Sequence, residues 1–134
     1  MKGWFALMVL PIAAHPAAAA TDGCRAPATQ VEMTRCAGVA YQAADAMLNR
    51  QWRVTLARMQ AADRALPPTH DKRIGYVAAL TEAQKAWLRF RDAECRIEGY
   101  QMRGGTGEAM VVNMCLETLT KARTKQLKDM AGDF

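Results

Sequence analysis

Four cysteines placed around a glycine-rich turn constrain the fold of this chain more than any other feature. Cys95 and Cys115 each lie ten residues from Gly105, within a Gly-Gly-Thr-Gly segment. If two helices form an antiparallel hairpin around this turn, the equal distances place the two cysteines opposite one another. Four cysteines allow three pairings. The spacing favours Cys95 with Cys115, which leaves Cys24 to pair with Cys36.

The first twenty residues have the pattern of a secretory signal peptide. Lys2 precedes an apolar run that ends near Ala14, and small residues precede Thr21. Cleavage is expected after residue 20, so residues 21–134 should form the exported chain as a single small domain. The apolar run is too short to span a bilayer, and the residues before the first cysteine lack a lipidation pattern. The sequence therefore predicts a periplasmic or secreted protein without a membrane anchor.

Export to an oxidising compartment favours two disulfides over a metal site. No Cys-x-x-Cys spacing occurs, and residues 21–134 contain a single histidine, His70, in a loop beside two prolines. We therefore interpret His70 as a turn residue and expect neither a metal nor a cofactor.

The charge balance does not predict a nucleic-acid partner. Without Lys2 the chain has 17 basic residues, one fewer than the full count of 18, against 13 acidic ones, a net charge of +4. The two signs alternate along the chain, and no basic patch contains interleaved aromatic residues. A solvated helical surface accounts for this pattern, with polyanion binding as the alternative.

Helical periodicity extends over most of residues 21–134. Thr29 and Glu32 form a capping box, which predicts a helix over about 30–66 that ends before Pro67 and Pro68. No strand-like alternation occurs.

Two further helices are predicted, over about 73–99 and about 107–131. Thr106 is a candidate N-cap for the last of them. The fold class is therefore all-α, an antiparallel bundle of three main helices. The predicted inner face of the third helix contains Met110, Val111, Met114, Cys115, Thr118, Leu119, Ala122, Leu127 and Met130.

The second predicted helix has one face of mixed chemistry. At intervals of three and four residues it presents Gln84, Trp87, Arg91 and Cys95. If Trp87 lies in the core, Arg91 must find a carboxylate or carbonyl partner there, and Asp45 and Glu32 on the first helix are the candidates. The alternative is that Arg91 binds a partner protein.

Catalytic constellations are absent from the sequence. There is no serine, every cysteine is expected in a disulfide, and the glycines do not follow a strand as a phosphate-binding loop requires. Glu94 and Glu98 lie one helical turn apart and are the candidates for the paired carboxylates of a glycan hydrolase. We interpret them as part of a salt-bridged surface, with Asp92 facing Arg89 or Arg96, and expect no enzymatic activity.

The order of these residues resembles the LprI-type lysozyme inhibitor N-terminal domain family. The resemblance rests on Glu32-Met33, Cys36-Ala37, Asp45, Leu48-Asn49, Gln84, Trp87, Arg91-Asp92, Cys95, Gly104-Gly105-Thr106, Cys115, Leu119-Thr120 and Arg123. Trp52 departs from the pattern, which has a tyrosine there, but an aromatic side chain is kept.

The resemblance implies an exported, disulfide-linked helical domain that binds a protein partner and, as in characterised relatives, inhibits lysozyme. Inhibition would then arise from a loop that occludes the enzyme's cleft. The candidate loop spans 100–108, and its proposed contact residues are Tyr100, Arg103, Gly104, Gly105, Thr106 and Glu108. A second candidate spans 67–73. One alternative is an envelope interaction or immunity-type protein that neutralises another cell-wall-active toxin, and another is a carboxylate-dependent glycan hydrolase. For the loop, the alternative is a glycine turn that only joins two helices.

Overall fold

A computed structural model describes residues 23–67 and 71–133 of the chain. The predicted signal peptide and His70 lie outside these ranges. Within them the fold is all-α, as predicted, and contains no strand. None of the described helices is long and apolar enough to cross a membrane. The elements are α1 (Gln30–Ala65), α2 (Tyr76–Gly99), a short 3-10 helix (Tyr100–Met102) and α3 (Glu108–Asp133).

The predicted capping box begins α1. The Thr29 hydroxyl accepts a hydrogen bond from the Glu32 backbone N–H at 3.2 Å. In return, the Glu32 carboxylate accepts from the backbone N–H groups of Ala28 at 2.8 Å and Thr29 at 3.0 Å. The box satisfies N–H groups that have no partner within the helix.

The capping box should make stability depend on pH. The N–H groups of Ala28 and Thr29 hold the pKa of Glu32 below its ordinary value of 4.5. A lowered folded-state pKa contributes stability above the unfolded value, and this contribution is lost as pH falls through the folded value. The difference in free energy of unfolding between wild type and Glu32→Gln should therefore shrink as pH falls below 4.5.

Urea unfolding at a series of pH values measures this difference. Asp133→Asn serves as the control, because it removes an exposed carboxylate that accepts no hydrogen bond from the described residues. A Glu32→Gln difference that stayed constant through the acid range would contradict the role assigned to the carboxylate.

α2 begins at Tyr76, three residues later than predicted. The Asp63 carboxylate, near the end of α1, accepts hydrogen bonds from the N–H groups of Tyr76 at 2.7 Å and Val77 at 3.0 Å. Gly75 permits this approach, because a Cβ there would lie 2.8 Å from an Asp63 oxygen. The start of α2 is thus set by another helix, which local sequence signals do not reveal.

Contacts between α1 and α3 show that these helices run parallel. Gln30 donates to the Met110 sulfur at 3.6 Å near the start of both helices. Farther along both, the Thr55 hydroxyl donates to the Leu127 carbonyl at 2.9 Å. Because the end of α1 caps the start of α2, α2 runs antiparallel to both.

A hydrophobic cluster forms the centre of the bundle. It consists of Leu48, Met59, Leu80 and Leu127, with Trp52, Leu56, Tyr76, Val77, Trp87 and Met130 packed against it. Trp87 therefore contacts the core, as predicted, although its side chain is only partly buried.

The inner face of α3 differs from the predicted one. Its buried residues are Cys115, Thr120, Arg123, Leu127 and Ala131, whereas Met114 is 52% exposed. Thr118 and Ala122 are exposed as well. Cys115 and Leu127 are buried as predicted, but apolar character alone missed Thr120 and Arg123. The interior between α2 and α3 is polar at this level, where Arg123 contacts Gln84.

The predicted disulfide pairing is confirmed. Cys24 pairs with Cys36 at a Cα–Cα distance of 5.5 Å, and Cys95 pairs with Cys115 at 5.4 Å. The second bond joins the end of α2 to the start of α3, and Cys95 is fully buried. It therefore closes the base of the connection between the two helices.

Candidate protein-binding site

The connection between α2 and α3 is a compact turn over residues 100–107. Gly99 lies against α3 so closely that a Cβ there would stand 2.5 Å from a Val112 methyl group. Gly104 has φ +75°, a conformation that favours glycine. The Gly105 N–H donates to the Met102 carbonyl at 2.8 Å. Local hydrogen bonds and close packing thus define this turn.

Glu108, predicted as a contact residue, is tied into the turn. Its carboxylate accepts a hydrogen bond from the Gly104 N–H at 2.8 Å. α3 begins at Glu108, two residues after Thr106, so the predicted N-cap role of Thr106 is wrong. The helix starts later because the chain first makes a further turn, in which the Glu108 N–H donates to the Gly105 carbonyl at 3.2 Å.

Arg103 is the exposed cation of this turn. Its guanidinium lies 4.8 Å from the centroid of the Tyr100 ring, within the range of a cation–π contact. It makes no ion pair with any residue that the structure describes. The stacked ring limits the positions of the guanidinium and leaves its N–H groups available to an external acceptor.

The turn also borders the start of α1. Thr106 lines a groove of about 430 Å³ together with Gln30, Val31, Thr34 and Arg35 of α1. Val31 is 78% exposed, and Met102 is 44% exposed on the turn itself. The turn therefore combines the Arg103 cation with the exposed apolar side chain of the adjacent Met102 and borders a groove with the apolar Val31, a combination typical of protein-binding surfaces.

The second candidate loop, over 67–73, differs from the first because its arginine, Arg73, is paired with a carboxylate of the same loop. Residues 68–70 of this loop lie outside the described part of the chain. Arg73 is engaged within the loop, because its Nε donates to Asp71 at 2.6 Å. This hydrogen bond raises the pKa of Arg73 above its ordinary value. An external carboxylate would have to compete with Asp71, whereas Arg103 presents no such competitor.

Arg91 forms the predicted internal brace. Its guanidinium lies 2.8 Å from the Asp92 carboxylate and 3.7 Å from that of Asp45 on α1. Nη1 donates to the Thr120 hydroxyl of α3 at 3.4 Å. Of the two candidate partners, Asp45 is the one that Arg91 approaches, since Glu32 is occupied in the capping box. The side chain is buried, and its contacts connect all three helices.

Arg123 is a second buried arginine, whose position the sequence patterns did not predict. Its Nε donates to the Gln84 side chain at 3.0 Å, and its Nη1 donates to Gln126 at 3.2 Å. Burial lowers the pKa of the Arg123 guanidinium. The Trp87 ring contacts both arginines, 5.2 Å from Arg91 and 5.9 Å from Arg123. Gln84 and Arg123 both belong to the residues that carry the family resemblance. That resemblance was the sequence signal that could have pointed to their contact.

The paired carboxylates of α2 do not form the expected salt-bridged surface. Neither Glu94 nor Glu98 has an ion pair with a described residue. Asp92, for which exposed arginines of the same helix were the expected partners, pairs instead with Arg91. Within residues 23–67 and 71–133, no group of His, Cys, Asp or Glu side chains is arranged to hold a metal ion.

Three helices and two disulfides, one within the N-terminal region and one between α2 and α3, with an exposed turn at one end, define a class of small disulfide-linked helical proteins. Residues 22–127 match the model of the lysozyme inhibitor LprI family. The chain belongs to this family. The matched segment includes both disulfides, both buried arginines and the turn at 100–107.

A relative of the same family is known from Rhizobium meliloti (strain 1021), where it is described as an uncharacterized protein. It is 41% identical over 107 residues, which cover 80% of this chain and 77% of the relative. No solved structure matches the chain.

Proposed function

We propose that this protein is an exported, non-catalytic inhibitor of lysozyme that inserts the loop Tyr100–Glu108 into the cleft of the enzyme. The exposed guanidinium of Arg103 supports this proposal most directly, because it lies on a fixed turn and has no carboxylate partner among the described residues. Membership of a lysozyme inhibitor family supports lysozyme as the partner. Two disulfides are consistent with an oxidising compartment outside the cytoplasm.

The chemistry of a lysozyme cleft complements this loop. Glycoside hydrolysis uses two carboxyl groups that flank the scissile bond. An arginine placed between them can form charge-assisted hydrogen bonds, which are shorter and stronger than neutral ones. Gly104 and Gly105 have no side chains that would hold the backbone away from the cleft wall.

The fixed geometry of the loop also favours binding. Association costs free energy when a loop or a long side chain becomes ordered. Here the Cys95–Cys115 bond and the Glu108–Gly104 hydrogen bond already restrict the loop, and the Tyr100 ring restricts Arg103. The loop therefore loses less conformational entropy when the complex forms.

Electrostatic attraction over long range contributes little in this proposal. The exported chain has a net charge of +4, the excess of 17 basic residues over 13 acidic ones. A basic lysozyme would be repelled at a distance, so affinity must come from close contacts inside the cleft. Association should consequently become faster, not slower, as added salt screens the repulsion.

Replacement of Arg103 by alanine should weaken inhibition about 10-fold to 100-fold, because a hydrogen bond to a charged group contributes about 1.5–3 kcal/mol. The folding of the variant should be unaffected, since Arg103 is exposed. The measurement is the rate of cell-wall clearance by lysozyme as residues 21–134 are titrated in. Arg58→Ala is the matched control, because it removes an exposed arginine from α1.

Two outcomes would contradict the proposal at different levels. If the wild-type protein did not slow clearance at micromolar excess, lysozyme inhibition would be wrong. If wild type inhibited and Arg103→Ala inhibited equally well, with an unchanged circular dichroism spectrum, the loop assignment would be wrong while inhibition itself stood.

A further inference from the structure

The outward face of α2 carries an apolar stripe. Its members recur at alternating intervals of four and three residues, and all are exposed: Ala79, Ala83, Ala86, Phe90, Ala93 and Ile97. Phe90 is 54% exposed and Ile97 is 57% exposed. We call these six residues the α2 outer stripe. At about 100° per residue, the stripe lies roughly 120° around the helix from the buried face that contains Gln84 and Arg91.

The spacing of the stripe is that of a coiled-coil seam. Apolar residues that repeat every 3.5 residues occupy the a and d positions of a heptad and favour packing against another helix. The inner face of α2 is covered by α1 and α3, with Leu80, Gln84, Arg91 and Cys95 buried. A helix on the outside of a small bundle needs only one such face. The second face is therefore unexplained by the fold of a single copy.

We propose that the α2 outer stripe is the interface of a homodimer, in which it packs antiparallel against the same stripe of a second copy. Aligned about a two-fold axis near residue 88, the middle of α2, large residues face small ones. Phe90 lies opposite Ala86 of the second copy, and Ile97 lies opposite Ala79. Each contact occurs twice, as in any isologous interface. Alternation of large and small side chains lets the two surfaces interdigitate.

A parallel alignment does not give this complementarity. It would place Phe90 against Phe90 and Ile97 against Ile97 of the second copy. All four alanines of the stripe would then face alanine and remain poorly filled, whereas in the antiparallel alignment only Ala83 and Ala93 of the two copies face each other. The distribution of large and small residues along the stripe thus favours the antiparallel arrangement.

The charges that flank the stripe are complementary in the same alignment. Glu82 and Arg96 are exposed on one flank, and neither has an ion pair among the described residues. The antiparallel pair brings Glu82 close to Arg96 of the second copy, twice by symmetry. Arg89 lies beside the two-fold axis and faces its own copy, so this like-charge contact weakens the dimer.

In the dimer, the loop Tyr100–Glu108 of each copy would remain accessible to lysozyme. The loop Tyr100–Glu108 follows the end of α2, about 18 Å from a two-fold axis near residue 88 at 1.5 Å per residue. In an antiparallel pair the two loops lie at opposite ends of the assembly. The dimer does not depend on the proposed function and can be tested without lysozyme.

Sedimentation equilibrium of residues 21–134 over a range of concentrations tests the dimer. We expect a monomer–dimer equilibrium with a dissociation constant on the order of 10 µM. Phe90→Glu should weaken it by roughly 100-fold, since it places two charges at the centre of the seam. Val54→Glu is the matched control, because Val54 is 54% exposed on α1, outside the stripe, and should leave the constant unchanged.

A charge exchange tests the alignment. Glu82→Arg alone should weaken the dimer several-fold, and the double variant Glu82→Arg with Arg96→Glu should restore it. A protein that remained monomeric at millimolar concentration, or a dimer insensitive to Phe90→Glu, would overturn the proposal. Failure of the double variant to restore association, with both variants folded by circular dichroism, would overturn the antiparallel alignment.

Discussion

Replacement of Arg91 by alanine is expected to lower the free energy of unfolding by about 3 kcal/mol. Three contributions add up. The variant loses the contacts to Asp45 and Asp92 and the hydrogen bond to Thr120. It also leaves a cavity beside Trp87, where the arginine side chain packs. Urea unfolding followed by circular dichroism measures the change.

Two further variants separate the charge from the bulk of Arg91. Arg91→Met keeps an apolar side chain of similar length and should cost about half as much, because Asp45 and Asp92 are partly exposed and water can solvate them. Lys85→Ala removes an exposed cation from the same helix and should change stability by less than about 0.5 kcal/mol. If Arg91→Ala were as stable as Lys85→Ala, Arg91 would not be a brace.

Removal of the Cys95–Cys115 disulfide should have the second large effect. The bond closes a loop with a sequence separation of 20, and a cross-link of this span contributes about 3 kcal/mol by restricting the unfolded chain. The double variant Cys95→Ala with Cys115→Ala should therefore unfold at lower urea. Because the same bond closes the base of the loop Tyr100–Glu108, inhibition of lysozyme should weaken even where the variant is fully folded.

The other disulfide provides the comparison. Cys24→Ala with Cys36→Ala removes a cross-link with a sequence separation of 12, which should also cost on the order of 3 kcal/mol. It does not join the two arms of the loop, so potency at a temperature where the protein is folded should change much less. Equal losses of potency in the two double variants would mean that inhibition follows stability and not the geometry of the loop.

Features fixed by local chemistry were predictable from the sequence. The capping box at Thr29 and Glu32 depends on residues three apart, and the structure contains it. The pairing of Cys95 with Cys115 followed from their equal distances to the glycine turn, and it is confirmed. In both cases the interacting groups are close in sequence or related by one tight turn, so few arrangements compete.

Features fixed by contacts between helices were not predictable in the same way. α2 begins at Tyr76 because Asp63 of α1 caps it, and nothing local to α2 signals this. The inner face of α3 contains Thr120 and Arg123 in place of Met114. A periodicity of apolar residues assigns polar side chains to the solvent, so it cannot find buried polar side chains that contact one another, as Arg123 contacts Gln84.

The loop shows both kinds of feature. Its position and its glycines follow from the sequence, since the gap between two helical patterns must contain a turn. The stacking of Arg103 on Tyr100 and the hydrogen bond from Gly104 to Glu108 required the structure. These two contacts distinguish a fixed, cation-presenting loop from a flexible connection.

Competition between this protein and a chitooligosaccharide bound in the cleft of lysozyme tests the proposed occlusion most directly. The affinity of residues 21–134 for lysozyme would be measured by calorimetry at increasing concentrations of the saccharide. If the loop Tyr100–Glu108 occupies the cleft, the apparent dissociation constant should rise in proportion to saccharide once the cleft is saturated. An unchanged dissociation constant at saturating saccharide, or no binding to lysozyme at all, would contradict the account.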